Sequence, residues 1–464
     1  MYKIIDNEDI LYFISLLGKE NVIQKENIKA DYHKDELGTI YGIPDLLLFV
    51  HNTEEVSSIM KYASSKIIPV TVRGAGTGLV GGCVAIHGGI LLDTSKMNHI
   101  LELDEDNLTL TVEAGVLIMD IFEYVESRGF YYPPNPGETS ATIGGNIATN
   151  AGGMKAVKYG VTRDFIRAIE VVMPSGEIEL LGRKVVKDSS GYSLKNLIIG
   201  SEGTLAIITK AILKIIPKPK HFISLLIPFE SVDDALESVT RIGKLPVLMT
   251  AIEFFERETI GFAEEFLGKK FPDSGSAAYI LIAFDAMTAS ELKASYEIVA
   301  NLCLEQLSAK DVYIVDTKER SDSVWKARSA FLEAIKASTT EMDECDVVLP
   351  RNSMASYIKF IRSLSEKHNM RLPSFGHAGD GNLHIYLCKD QMSDSTFEKT
   401  KQIVFDELYL RATVVGGLVS GEHGIGYAKV DYLKKQIGKT QIDLMKHIKN
   451  GFDPNHILNP DKVI

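Results

Sequence analysis

The chain has 464 residues, enough at roughly 100 to 200 residues per domain for two to four domains and a large buried core. Apolar residues make up 45% and charged residues 24%, as in ordinary globular proteins, so a disordered or fibrous chain is excluded. Its net charge is −12, with 62 acidic against 50 basic side chains and no Lys/Arg block to track a phosphate backbone, which argues against nucleic acid or an anionic membrane surface as partner.

At the N-terminus the apolar run Ile10 to Leu17 is too short to span a bilayer, and acidic residues precede it where a secretory signal would be basic; no transmembrane segment and a cytoplasmic location are expected. The segment TEEVSSIMKYASS places Val56, Ile59, Met60 and Ala63 at helical spacing behind Asn52 as N-cap, and KIIPVTV then reads as a buried strand. GGILLDTS and LTLTVEAG read as two more strands. An amphipathic helix comes next, with Leu117, Ile121, Phe122 and Val125 inward and Gly129 as its stop. Beyond a glycine-rich middle, FIRAIEVVM and EIELLG flank a Pro-Ser-Gly turn, and NLIIGSEGTLAIITKAILKIIP is strand-rich up to Pro217 and Pro219, where a domain boundary is expected. After it ISLLIPF, AAYILIAF, DVYIVD and DVVLP alternate with helices such as ASELKASYEIVANLCLEQL and SMASYIKFIRSLSEKH, the pattern of one sheet covered by helices. Cys83, Cys303, Cys345 and Cys388 are dispersed, which leaves too few ligands in any one place for an iron–sulfur cluster or zinc knuckle and reads as reduced thiols.

Two glycine clusters carry the first functional signal. In RGAGTGLVGG, residues 73–82, Gly76, Gly78 and Gly81 have the GxGxxG spacing directly after a predicted strand. The next residues, CVAIHGGILLD, have strand character, so a nicotinamide-binding Rossmann turn, which must open a helix, is rejected. Consecutive small residues there can turn backbone N–H groups around a pyrophosphate; a plain tight turn is the alternative. The second cluster, PPNPGETSATIGGNIATNAGGMKAVKYG at 133–160, offers Asn146, Asn150 and Thr142 as hydrogen-bonding groups for the edge of a flat ligand, or else is an ordered surface loop.

The second signal lies toward the C-terminus. His377 and His384 bracket HAGDGNLH, whose Gly-Asp-Gly-Asn turn can bring two imidazoles together, and SGEHGIG sets Glu422 beside His423 between glycines. Two imidazoles and one carboxylate suit a divalent metal with open positions, although histidines in glycine turns also serve as caps. Arg328, three residues after Trp325 in SVWKARSAFLEAIKAS, is a candidate anchor for a carboxylate; the alternative is Trp325 in a helix core with Arg328 solvated. Arg351 in VLPRNS is a further cation near this region.

Taken in order, RGAGTGL, TIGGNIATNAGG, KYG and SSGYSLKNLIIGSEGTLAIIT at 189–209 resemble the flavoprotein family of vanillyl-alcohol oxidase type, in its branch of D-lactate dehydrogenases and glycolate oxidase D-subunits, over residues 30–464. The resemblance implies an α+β fold: a two-subdomain FAD-binding unit (1–219), an inserted α+β cap domain built on an antiparallel sheet (220–415), and a C-terminal segment (416–464) returning to the flavin. It implies that Arg73, Gly74, Ala75, Gly76, Thr77 and Gly78 hold the FAD pyrophosphate, and that Pro136, Gly137, Thr142, Gly144, Gly145, Asn146, Asn150, Gly153, Gly203, Ile208 and Asn459 line the rest. Ala75 and Thr77 stand where some members carry a flavin-linking histidine, so FAD is expected to be non-covalent.

By the same resemblance His377, His384 and Glu422 ligate one divalent metal (zinc, manganese or iron), His423 is the base, Arg328 binds the substrate carboxylate, and Asn382 reaches substrate or flavin. The implied reaction is oxidation of a small D-2-hydroxy acid. The metal acidifies the hydroxyl, His423 takes its proton and the C2 hydride passes to FAD. Members acting on 2-hydroxyglutarate carry a lysine just before the strand matching DVVLP, where this chain has Glu344 and Cys345, so D-lactate or glycolate is favoured. Electrons are expected to leave for a separate acceptor, an electron-transfer flavoprotein or a quinone. Other readings are a glycolate oxidase catalytic subunit, a D-2-hydroxyglutarate dehydrogenase, an ether-forming transferase like alkylglycerone phosphate synthase, and a non-catalytic electron-relay subunit.

Overall fold

The computed structural model describes residues 2–273 and 275–464, which form two compact units. One comprises Met1–Gly152, Val161–Pro217 and Glu422–Ile464, the other Gly153–Gly160 and Lys218–Gly421. The chain thus crosses after Pro217 and after Gly421, against the expected boundaries after 219 and 415. It also sends Gly153–Gly160 into the second unit, where Lys158 Nζ (2.5 Å) and the Tyr159 hydroxyl (2.7 Å) both bond to the buried Asp285 carboxylate.

The first unit contains two larger sheets and a two-stranded pairing of Phe130–Tyr131 with Ile216–Pro217. A four-stranded sheet runs in the order Val22–Gln24, Leu46–Phe49, Ile90–Asp93, Val70–Arg73, with its last three strands parallel. As parallel strands buried on both faces should be, these are nearly continuous apolar runs. Helix Thr53–Lys66, capped by the Asn52 side chain on Glu55 N–H as its sequence predicts, packs Val56, Ile59, Met60 and Ala63 into that core. Ile67, in the left-handed conformation, ends the helix and shortens the predicted strand to Val70–Arg73. The second sheet is antiparallel, in the order Ile100–Asp104, Thr109–Glu113, Ile207–Lys214, Ile166–Val172, Ile178–Gly182. The start of the stretch read as strand-rich, from Asn196, is instead the end of a short helix, Leu194–Ile198.

The second unit is built on one seven-stranded sheet, antiparallel at every pairing. Its order is Tyr313–Val315, His221–Phe229, Ala278–Ala286, Ala251–Glu256, Ser374–His377, Asn382–Cys388, Met342–Val348. Helices Ala289–Gln306 and Met354–His368 form as predicted, and Lys318–Ser329 carries Arg328. Among the described residues no helix is long and apolar enough to cross a membrane, and all four cysteines are free.

Candidate active site

The first glycine loop leaves strand Val70–Arg73, and the next regular element is strand Ile90–Asp93, so the GxGxxG spacing opens no helix. Its glycines are held by crowding. A Cβ on Gly74 would stand 2.2 Å from Thr142 Oγ1, and one on Gly76, at φ +80°, 2.1 Å from Arg73 Nη2. At Gly78 a Cβ would meet nothing within 4 Å. The Arg73 guanidinium itself donates to the carbonyls of Lys34 (2.8 Å) and Asp31 (3.0 Å) and lies over the Tyr32 ring, bracing the loop from behind.

Contact between Gly74 and Thr142 joins this loop to the second cluster. Thr142 caps helix Ile143–Thr149 by accepting from Gly145 N–H, and Gly144 N–H donates to the Ala114 carbonyl at 2.8 Å. A Cβ on Gly144 would lie 2.8 Å from that of Ala114, so only glycine lets the helix sit against the end of strand Thr109–Glu113. Asn150, at φ 52°, accepts a hydrogen bond from Arg163 N–H on its side-chain oxygen. Asn146 differs: it is buried, and its Nδ2 has no partner among the described residues, a donor whose burial costs about 1–3 kcal/mol unless a ligand accepts from it. Pro136 and Gly137 lie in the irregular stretch before this helix, Ile208 is buried in strand Ile207–Lys214, and Gly153 goes with the second unit.

The C-terminal segment returns to these loops. Asn459 Nδ2 donates to the Glu202 carbonyl (2.7 Å), its Oδ1 accepts from Val72 N–H (3.2 Å), and a Cβ on Gly203 would strike it at 2.8 Å. The Glu202 carboxylate accepts from the N–H groups of Ile425 and Gly426, 2.7 Å each, and burial pushes its pKa up. That clamp fixes the turn after Glu422 and His423, with Glu422 against Gly152 at the end of the glycine cluster and 3.8 Å from His423 Nε2.

In the second unit, strand register brings the two histidines together. Ser374–His377 and Asn382–Cys388 form a hairpin pairing Phe375 with His384 and His377 with Asn382, so all four side chains project from one face. The imidazole centroids are 5.5 Å apart, and each ring offers a nitrogen within 4.8 Å of the other's. Both rings are buried and oriented by a carboxylate: His377 Nδ1 lies 2.7 Å from Glu253 Oε1, and His384 Nδ1 3.1 Å from Glu344 Oε1. An Nδ1 turned to a carboxylate is the usual outer-shell arrangement of metal-binding histidines.

Arg328 is buried, not solvated. Its Nε and Nη2 lie 2.7 and 2.6 Å from Glu253 Oε2, and its guanidinium sits 4.6 Å from the Phe375 centroid. Burial pushes the Glu253 pKa up, but the His377 and Arg328 charges outweigh it and hold the group below the usual value. Trp325 packs in the helix core and donates to Ser224. Asn382 donates through Nδ2 to Asp346 Oδ1 (2.6 Å) and the Val347 carbonyl (2.9 Å), while its buried Oδ1 has no partner among the described residues. Asp346 Oδ2 also accepts from Ser420 Oγ and Gly421 N–H, so it anchors the chain one residue before Glu422.

Glu253 and Asp346 carry no sequence signal of their own: AIEFFE and DECDVV read as strands, and only strand pairing sets their acids against His377 and Asn382.

Residues 44–182 match the "FAD binding domain" family and residues 218–463 the "FAD linked oxidases, C-terminal domain" family. The chain is 46% identical to a D-lactate dehydrogenase of Anaerostipes hadrus, over 96% of this chain and 95% of that protein. It is 37% identical to the glycolate oxidase subunit GlcD of Bacillus subtilis, over 97% and 95%. Among solved structures, p-cresol methylhydroxylase with substrate bound superposes with a TM-score of 0.82 at 18% identity, covering 98% of this chain and 96% of that one, a likeness of fold. With both glycine loops, the clamped C-terminal return and the antiparallel second unit in place, the chain belongs to the FAD-linked oxidoreductases of vanillyl-alcohol oxidase type, in the branch of D-lactate dehydrogenases and glycolate oxidase D-subunits.

Proposed function

We propose that the protein oxidises a small D-2-hydroxy acid, D-lactate first, to its 2-keto acid, with non-covalently bound FAD and one divalent ion (zinc, manganese or iron) held by His377, His384 and Glu422. The observation that carries this reading is the buried histidine pair, each Nδ1 given to its own carboxylate, in a chain of this family. The orphaned Asn146 amide and the open space beside Gly78 support the flavin in the same way. The 46% identity to a D-lactate dehydrogenase supports the substrate.

When bound, FAD supplies the acceptor for the C2 hydrogen with its electron pair, and the metal supplies Lewis acidity toward the substrate hydroxyl. The chain's residues do the rest. Arg328 holds the substrate carboxylate, His423 takes the hydroxyl proton, and Asn382 Oδ1 accepts from a substrate or flavin donor. Backbone from Arg73 to Gly78 receives the pyrophosphate; Pro136, Gly137, Thr142, Gly144, Gly145, Asn146, Asn150, Gly153, Gly203, Ile208 and Asn459 form the remaining FAD surface. Glu344, buried at the histidine pair, would oppose a second substrate carboxylate, which favours lactate over 2-hydroxyglutarate. The electrons pass to a separate acceptor, an electron-transfer flavoprotein or a quinone.

Anaerobic addition of D-lactate, L-lactate, glycolate and D-2-hydroxyglutarate to the flavoprotein tests this. D-lactate should bleach the oxidised-flavin absorbance fastest. Faster bleaching by glycolate would move the chain to that substrate, and bleaching by none would overturn the reading.

A further inference from the structure

Glu253 stands between two residues to which the proposed reaction gives different tasks. Strand Ala251–Glu256 pairs with Ser374–His377 so that Phe254 faces Gly376, and one step along that register puts Glu253 beside His377. Its side chain is fully enclosed, and its two oxygens serve different partners: Oε1 lies 2.7 Å from His377 Nδ1, and Oε2 lies 2.7 and 2.6 Å from Arg328 Nε and Nη2. An enclosed carboxylate is tolerated only when both oxygens are satisfied, and here an imidazole and a guanidinium satisfy them.

We propose that Glu253 is a positioning residue that couples metal binding to recognition of the substrate carboxylate. Its first oxygen sets the His377 tautomer, with the proton on Nδ1 and the Nε2 lone pair turned to the ion. Its second oxygen holds the guanidinium by the Nε–Nη2 edge, which, with Phe375 against the cation, leaves Nη1 as the nitrogen that meets the substrate. Glu344 is the internal contrast, since it orients His384 by the same kind of bond while the ion pair of Arg328 runs to Glu253.

The inference rests on the function proposed above, and Glu253→Gln and Glu344→Gln holoenzymes test it. Zinc affinity, measured by competition with a chromogenic chelator, should fall about 10- to 100-fold in both variants while FAD content stays at one per chain. At saturating zinc only Glu253→Gln should raise KM for D-lactate, by about tenfold with a smaller change in kcat, because only Glu253 holds the carboxylate anchor. A wild-type KM in Glu253→Gln, or an equal rise in Glu344→Gln, overturns the coupling. If Glu253→Gln does not fold with Arg328 unpaired, Arg328→Met is compared with Arg328→Met/Glu253→Gln: the double variant should bind zinc about 10- to 100-fold more weakly, and equal affinities overturn the role. A wild-type protein that neither binds zinc nor is reduced by D-lactate refutes both proposals, whereas an active wild type with unchanged Glu253→Gln refutes only this one.

Discussion

Gly78 and Gly144 are the two glycines that best separate ligand contact from internal packing. At Gly78 an added Cβ meets no protein atom within 4 Å, and the residue's φ is not in the left-handed region. Gly78→Ala should therefore leave the FAD-free fold as stable as wild type, or more stable by about 0.4–1 kcal/mol through lost freedom in the unfolded chain. If the loop backbone carries the pyrophosphate, the same methyl stands in the ligand's path, and the dissociation constant for FAD should rise at least about tenfold, or about 1.4 kcal/mol. Gly144→Ala should behave oppositely in the free protein. Its methyl would sit 2.8 Å from Ala114 Cβ and 2.9 Å from the Ala114 carbonyl oxygen, so helix Ile143–Thr149 must back away, at about 1–3 kcal/mol. The assay is urea denaturation of the FAD-free proteins together with FAD titration by flavin fluorescence. Unchanged FAD affinity in Gly78→Ala would refute the pyrophosphate role of the loop, and undiminished stability in Gly144→Ala would refute the packing argument.

His423→Ala should keep FAD and bind metal yet slow flavin reduction by D-lactate about 10²- to 10⁴-fold in stopped-flow measurements, and a wild-type rate would remove His423 as the base. Lys462 sets a pH dependence of stability. Its Nζ donates to the Gly82 carbonyl at 2.9 Å, and burial pushes the ammonium from 10.5 down to about 7, against the opposing pull of Cys83, Glu202 and Asp35. Between these values the unfolded chain holds the proton that the folded chain releases, so this group makes stability rise with pH by about 1.4 kcal/mol per unit; below about 7 its full cost is present. Lys462→Met should flatten that slope in denaturation midpoints at pH 7.5 and 9.5, and an unchanged slope would refute the assignment.

Legibility in the sequence tracks the range of the interactions. Asn52, the spacing of Val56 to Ala63 and the missing helix after Gly82 are local signals, and all three are present in the fold. The hairpin that brings His377 to His384 is also local, because a short turn and its flanking strands set its register. Glu253 is invisible in the sequence, since it meets His377 across 124 residues of chain. Arg328 is legible as a cation, but its burial against Glu253 depends on strand pairing and helix packing far from its own segment. Arg73 is the reverse case: its position in RGAGTGL suggests phosphate, and only the fold reveals that its guanidinium braces residues 31–34.

Metal-linked oxidation of D-lactate is tested most directly by anaerobic stopped-flow reduction of the flavin in three samples of one preparation: as purified, stripped by a chelator, and stripped then reloaded with zinc or manganese. D-lactate should bleach the first and third and leave the second oxidised, with FAD retained in all three. Equal bleaching of the stripped protein would contradict the account, because His377, His384 and Glu422 would then have no part in the chemistry.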